Sequence, residues 1–507
     1  MDVVTAQKMY ERDRAALEYA GIEGHVLMEN AGRAAAQDLI RHVQPEQSIL
    51  ILIGSGQNGG DGFVIARTLL NRGYKVEAWQ VVPDDKITGD AALHKGYLLN
   101  SGYPIFHVEE ESAFAETLTN AEVIIDAMLG IGVKGKLRPP FDRVLKKANQ
   151  TKALRLAVDI PTGVPADEGV EVAEAFEADY TCVIAALKES AFLQHTRAYY
   201  GEWNVVEIGL PQPKLPPTPI KVWTEADVKR TFPRRHAFSH KGSHGKGMVI
   251  GGSYSMPGSV AMASKAALKA GAGLITVAAP YSTIPALAAY NQETTFLPLQ
   301  ENQQGLIIEE VSREHFEGMD GIALGMGLGR HEDGQALVAQ ALRHADQPLV
   351  IDADGLYHIP RLQAIVQNRE APVILTPHPG EMAHLLGVSV SELMMEPFRC
   401  SREFVKQYGT YLVLKGPATI ITSPSGEQRV ELSGNAGLAK GGTGDVLSGI
   451  LLALIMQSDD ILEGLCNGCH VHGKTAEQLI GEGHSEMDML ATDVIEGLAR
   501  TLRTFSS

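Results

Sequence analysis

GNAGLAKGGTGDVLSGILLALI, residues 434–455, sets three glycines and an aspartate directly before a long apolar run. Gly441, Gly442 and Gly444 free the backbone to wrap an anion. The apolar run predicts a helix whose first N–H groups and positive dipole end point at that anion. Asp445 stands at the helix mouth, within reach of a hydroxyl beside a bound phosphate. No G-x-x-x-x-G-K-[ST] occurs here, so the turn is not of the Walker A kind. The plain alternative, a glycine turn capped by Asp445, leaves three destabilising glycines at one turn without a reason.

Working outward, the second half alternates short apolar strand candidates with helical segments. The strand candidates are 247–253, 274–280, 321–327, 348–355, 372–378 and 411–416; PGSVAMASKAALKAG and DGQALVAQALRHA lie between them as helices. Upstream, PQPKLPPTPI (211–220) holds five prolines in ten residues, suiting neither a helix nor a central strand. The expected division is therefore a first domain over 1–212, a linker over 213–220 and a second domain over 221–507. The first half shows the same alternation, with strand candidates at 48–54, 75–82, 122–128, 154–160, 180–186 and 203–209. Continuous apolar runs separated by helices predict parallel sheets buried on both faces, an α/β protein in each half. The segment from Thr5 to about Arg41 is amphipathic and predicts one or two helices outside the first sheet.

GSGQNGGDG (54–62) follows the first of these strands and satisfies G-x-G-x-x-G at Gly54, Gly56 and Gly59. Glu77 stands on the second strand, where an acid that binds a ribose would sit. A plain Rossmann dehydrogenase thus competes. Against it, Asn58 and Asp61 place polar side chains inside a turn that the fingerprint fills with glycine. Two more strand ends carry carboxylates, Asp126 and Asp159, and ligands bind at the carboxyl ends of strands in open parallel sheets. Helix capping is their bland alternative. Asn58, Asp126 and the Thr162 hydroxyl offer oxygen ligands of the type a hard cation prefers.

A net charge of −17 argues against nucleic acid or an anionic membrane as partner. No run of about 20 apolar residues spans a bilayer, and the opening segment has no secretory h-region, so a cytoplasmic protein is expected. Cys466-Asn-Gly-Cys469-His470 fits the haem-attachment spacing. That chemistry requires export, so a packed helix is the expected reading, and His470 and His472 are set aside with it.

The segments QNGGDG (57–62), DAMLGIG (126–132) and VDIPTGV (158–164) resemble the NAD(P)H-hydrate epimerase family, which has a Rossmann-like fold. That family interconverts the R and S forms of NADH or NADPH hydrated at C6 of the nicotinamide ring. The resemblance implies that Asn58, Gly59, Gly60 and Asp61 hold the hydrated dinucleotide. It implies the same for the loop of Gly130, Ile131, Gly132, Val133, Lys134, Gly135 and Lys136. It further implies a potassium ion at Asn58, Asp126 and Thr162, with Asp159 contacting the nicotinamide and transferring a proton. Gln57 stands where Asn is common, and Thr162 where Ser is common; the threonine keeps the hydroxyl.

The turn at 441–445 resembles the anion hole and base of ribokinase-like kinases. More narrowly, KGSHGKGMVIGGS (241–253), GMGLG (325–329), TPHPGEMAHLLG (376–387), KGPAT (415–419) and NAGLAKGGTGD (435–445) resemble the ADP/ATP-dependent NAD(P)H-hydrate dehydratases. The resemblance implies that Lys415, Gly416, Pro417, Ala418 and Thr419 bind the nucleotide with Mg2+. Asn435, Ala436, Gly437, Leu438, Ala439, Lys440, Gly441, Gly442, Thr443 and Gly444 would complete that site. Ala261, Gly327, His378 and Asp445 would meet the hydrated dinucleotide, with Asp445 as base. The whole implies a bifunctional repair enzyme, expected as a homo-oligomer. A small-molecule kinase with a Rossmann regulatory domain, and a nucleotide-sensing scaffold, are the competing readings.

Overall fold

The computed structural model describes residues 1–211 and 215–505. The chain divides into two compact units, Met1–Thr218 and Pro219–Ser507. Residues 213 and 214 of the expected linker lie outside the described residues. Its last residue, Ile220, belongs instead to a strand, Ile220–Val222, paired in parallel with Gln428–Val430.

In the first unit a seven-stranded sheet runs in the order Ile105–His107, Lys75–Gln80, Ser48–Ile53, Val123–Ala127, Leu154–Val158, Tyr180–Ile184, Glu202–Val206. Every pairing in it is parallel. The strand order reverses between Ser48–Ile53 and Val123–Ala127, which opens a crevice where the glycine turn begins. Leu50, Ile51, Leu52, Ile124 and Ile125 are fully buried, as expected for strands covered on both faces. Each such side chain contributes about 1.5–3 kcal/mol of burial. The opening segment forms two helices, Ala6–Ala20 and Gly24–Leu39. Thr5 caps the first, its Oγ1 accepting from the Lys8 N–H at 3.1 Å, and Gly21 ends it in the left-handed region at φ 67°. A short parallel pair joins Asp2–Val4 to Leu187–Lys188.

In the second unit the strand order is Thr295–Leu299, Leu274–Pro280, Lys246–Ile250, Gly321–Leu324, Leu349–Ile351, Val373–Leu375, Tyr411–Leu414, Thr419–Thr422, Gln428–Glu431, Ile220–Val222. The pairings are parallel as far as Tyr411–Leu414, after which two are antiparallel. Again the order reverses beside the first of the main strands, between Lys246–Ile250 and Gly321–Leu324. Helices Pro257–Lys269 and Thr443–Ile455 pack closely, since Gly449 leaves room for the Ala263 carbonyl.

The helix Ile461–Gly481 carries Cys466 and Cys469 on its buried side. His470 is buried too, its Nδ1 3.1 Å from Glu431 Oε2. Among the described residues no helix is long and apolar enough to cross a membrane.

Candidate active sites

In the first unit the helix Gln57–Asn71 starts inside the glycine run. Two of those glycines serve backbone packing. A Cβ on Gly54 would fall on the Met128 carbonyl, and one on Gly59 on the Gly54 carbonyl. Gly56 has open space around it. This folding brings Asn58, Asp126 and Thr162 together from three parts of the chain. Thr162 donates twice to Asp126, through Oγ1 to Oδ1 and through its N–H to Oδ2, each at 2.7 Å. The Met128 N–H reaches Asp126 Oδ1 at 3.1 Å. The Leu129 N–H donates to Thr162 Oγ1 at 3.0 Å, and Asn58 Nδ2 donates to the Leu129 carbonyl at 3.0 Å. Asn58 Oδ1 is buried with no hydrogen-bond partner. Burial pushes the Asp126 carboxyl up to about 6 against these hydrogen bonds. An orphaned oxygen beside a buried carboxyl and a hydroxyl is a donor set that fits a hard monovalent cation.

Asp159 follows the strand Leu154–Val158 and sits at φ 67°, a strained conformation for an aspartate. Its Oδ1 accepts from the Ile184 N–H at 3.0 Å and from the Lys188 ammonium. Lys188 is 1% exposed, and its Nζ also donates to the Ala186 carbonyl at 3.0 Å. Ala185, next in line, shares the strain at φ 62°. Asp61 is buried in the same neighbourhood; burial, then the charges of Asp159 and Asp13, push its carboxyl well up. The loop 130–136 is largely exposed and carries Lys134 and Lys136. Glu77 does not join this group. It lies on the strand Lys75–Gln80 opposite Leu50, short of the carboxyl end, and accepts from Trp79 Nε1 and Thr117 Oγ1, each at 3.0 Å. Its place in the strand register, not its residue type, removes it from the site.

In the second unit the turn 441–445 opens the helix Thr443–Ile455, with Gly442 left-handed at φ 93°. Thr443 Oγ1 ties the turn to the carbonyls of Leu438 and Lys440, each at 2.8 Å. Asn435 starts the preceding single turn, its Oδ1 accepting from the Gly437 N–H at 3.0 Å. Asp445 accepts from Ser259 on the helix Pro257–Lys269, and burial and the Asp352 charge push its carboxyl up to about 6. Gly327, at φ 66°, lies against the same helix: a Cβ there would be 2.9 Å from the Met256 carbonyl and 3.3 Å from Ser259 Cβ. Ala261 is buried two residues after Ser259 on that helix. Lys415, from the strand end of Tyr411–Leu414, donates to Asp352 Oδ1 at 2.9 Å, and Ser448 Oγ to Asp352 Oδ2 at 2.6 Å. Gly416 and Pro417 are exposed in the loop beyond it, Ala418 is half-buried, and Thr419 opens the next strand, Thr419–Thr422. His378 caps the helix Pro379–Leu386, its Nδ1 accepting from the Gly380 N–H at 3.0 Å while its ring stays 57% exposed. Glu381 Oε2 accepts from the His378 N–H at 2.9 Å, and burial pushes this carboxyl up against the pull of Lys415.

Several of these groups escape a sequence reading. Asp352 ends a strand just as Asp126 and Asp159 do, a signal present in PLVIDADG. Ala353 beside it is strained at φ 51°. Asp13 and Lys188 give no such signal; an isolated lysine or a helical aspartate reads as solvent-facing.

Residues 248–500 match the NAD(P)H-hydrate dehydratase family, and residues 24–190 match the family described as YjeF-related protein N-terminus. A bifunctional NAD(P)H-hydrate repair enzyme from Moorella thermoacetica is 33% identical over 99% of this chain and 97% of its own length. Among solved structures, an ADP/ATP-dependent NAD(P)H-hydrate dehydratase from Bacillus subtilis, co-crystallised with ATP and Mg2+, is 33% identical. It covers 56% of this chain and 98% of its own, with a TM-score of 0.50. A ribokinase-like superfamily protein from Enterococcus faecalis, 23% identical, shares the fold of the second unit at a TM-score of 0.51, covering 58% of this chain and 98% of its own. With relatives this similar along its whole length, the chain belongs to the bifunctional NAD(P)H-hydrate repair enzymes, which join an epimerase and a dehydratase of hydrated NADH and NADPH.

Proposed function

We propose that the first unit epimerises the hydrated dinucleotide at the turn 58–61, the loop 130–136 and Asp159, and that the second dehydrates its S form at Asp445. The observation that carries this reading is the pairing of a raised carboxyl with a glycine anion hole at the mouth of one helix. Asp445 accepts the proton of the ring hydroxyl as that oxygen takes the phosphoryl group of ADP or ATP. The amides of 441–444 meet the negative charge that builds on the phosphate. Phosphate then leaves and the dihydronicotinamide is restored. Asn435 to Gly444 and Lys415 to Thr419 bind the nucleotide, while Ala261, Gly327 and His378 meet the hydrated ring and its dinucleotide. Mg2+, when bound with the nucleotide, neutralises phosphate charge; Glu381 and Asp352 are the carboxylates beside Lys415 that supply the surrounding field.

In the first unit Asp159 transfers a proton at the hydrated ring carbon, positioned by Ile184 and Lys188. Asn58, Asp126 and Thr162 would hold a potassium ion, which would supply fixed positive charge at this site. Self-association belongs to the same reading, supported by the exposed apolar side chains Leu93, Tyr97 and Leu99. The test is recovery of NADH absorbance from chemically hydrated NADH with Mg2+ and ADP or ATP. Full recovery is expected from the wild type, recovery of the S fraction alone from Asp159→Ala, and none from Asp445→Asn. Recovery by Asp445→Asn at the wild-type rate would remove Asp445 as base.

A further inference from the structure

The helix Ala6–Ala20 is tied to the epimerase crevice at three points. The strand Asp2–Val4, just before it, pairs with Leu187–Lys188 in a register that sets Val4 opposite Lys188. The Ala6 N–H donates to Asp167 Oδ1 at 2.6 Å. One turn on, Tyr10 Oη approaches the substrate loop: a Cβ on Gly132 would lie 3.2 Å from it. Asp13 follows Tyr10 by three residues and so shares its face of the helix. Burial and the Asp159 charge act on Asp13 together, with Lys188 opposing them. Asp159 pairs directly with the Lys188 ammonium, and the charges of both act on Asp13 and on Asp61.

A hydroxyl-bearing carbon next to a ring nitrogen can invert when the C–O bond breaks on one face and re-forms on the other, the nitrogen lone pair bridging the two events. That asks for an acid and a base, and for a field suited to the charge that develops between the two events. Asp159 supplies only one carboxyl. We propose that Asp13 is a second catalytic residue of the epimerase, working with Asp159 through loss and re-addition of water at the hydrated carbon. This rests on the reading that places the hydrated ring at Asp159.

The Asp13 carboxyl gives its proton to the C6 hydroxyl, the C6–O bond breaks and water leaves. The ring-nitrogen lone pair forms the N1=C6 bond of a cationic intermediate, stabilised by the surrounding carboxylates. Water adds to the other face and its surplus proton passes to Asp159. In the reverse inversion the two carboxyls exchange roles, and solvent resets the proton between turnovers.

The experiment follows inversion of purified epimers in water labelled with heavy oxygen, with nucleotide omitted so that no dehydration competes. One labelled oxygen should enter per inversion. Asp13→Asn should lower the inversion rate about 100-fold, chiefly in kcat, and Asp13→Glu should restore part of it. Thermal unfolding of both variants checks that the fold persists. Inversion without label uptake would overturn the proposal, because ring opening at N1–C6 keeps the oxygen. A wild-type rate for Asp13→Asn would overturn it as well. A wild-type rate for Asp159→Ala would instead displace the site reading beneath it, which separates the two failures.

Discussion

Lys415 Nζ and Asp352 Oδ1, 2.9 Å apart, form the charged floor beneath Asp445. Asp352 is 2% exposed; burial alone would raise its carboxyl, but the Lys415 ammonium and the Ser448 hydroxyl hold it below the usual carboxylate range. Burial likewise works against the Lys415 charge, and Asp352 and Glu381 outweigh it. Each charge therefore depends on the other. Lys415→Met leaves Asp352 buried and uncompensated, and should destabilise the second unit by about 3 kcal/mol. Denaturant unfolding measures this, and a loss below half that value would show the pair to be dispensable.

The acidity of Asp445 sets a pH dependence. Its carboxyl, raised to about 6 by burial and by the Asp352 charge, acts as base only when ionised. Dehydratase turnover should therefore hold steady above that value and fall about tenfold per unit of pH below it. Lys415 opposes the rise, so Lys415→Met should move the falling limb to higher pH. The profile is read from initial rates on the S epimer at saturating nucleotide, and an unmoved limb would detach Lys415 from the base.

Thr162 offers a contrast between two substitutions. Thr162→Ser keeps the hydroxyl that donates to Asp126 and accepts from the Leu129 N–H, so it should epimerise at close to the wild-type rate. Thr162→Val removes both bonds inside a buried site and should cost about 2–3 kcal/mol of stability. It should also abolish any response of the epimerase to potassium at constant ionic strength. Rates measured in KCl against tetramethylammonium chloride check the pair.

The glycine turn divides its residues by purpose. Gly59→Ala would drive a Cβ into the Gly54 carbonyl and should destabilise the first unit by about 3 kcal/mol, with loss of epimerase activity. Gly56→Ala meets nothing within 4 Å, and its φ of −90° suits any residue. That variant should unfold at the wild-type temperature. Thermal melts of both variants decide whether Gly59 is there for packing.

Much of this protein was legible in its residues because the signals are local. Apolar runs separated by helical segments specify parallel strands, and every strand expected from them is present within a few residues of its expected ends. The strands overlooked, such as Ile105–His107, Thr419–Thr422 and Gln428–Glu431, are short or belong to the antiparallel part of the second sheet. There a mixed polar pattern carries little period. The motif residues Asn58, Asp126, Asp159 and Asp445 stand at strand or helix ends, where topology alone aims them at a crevice. Glu77 looked equivalent, and the strand register takes it away.

What sequence by itself determined is the order of strands and helices, the two glycine turns and the carboxylates at strand ends, since each depends on neighbours a few residues apart. Tertiary structure alone decided that Lys188 meets Asp159, that helix Ala6–Ala20 lays Tyr10 by the loop at Gly132, and that Lys415 reaches Asp352. Those pairs come from distant parts of the chain. Their charges are tolerated out of water only because the folded sheet holds each opposite its partner, a condition that no local pattern encodes.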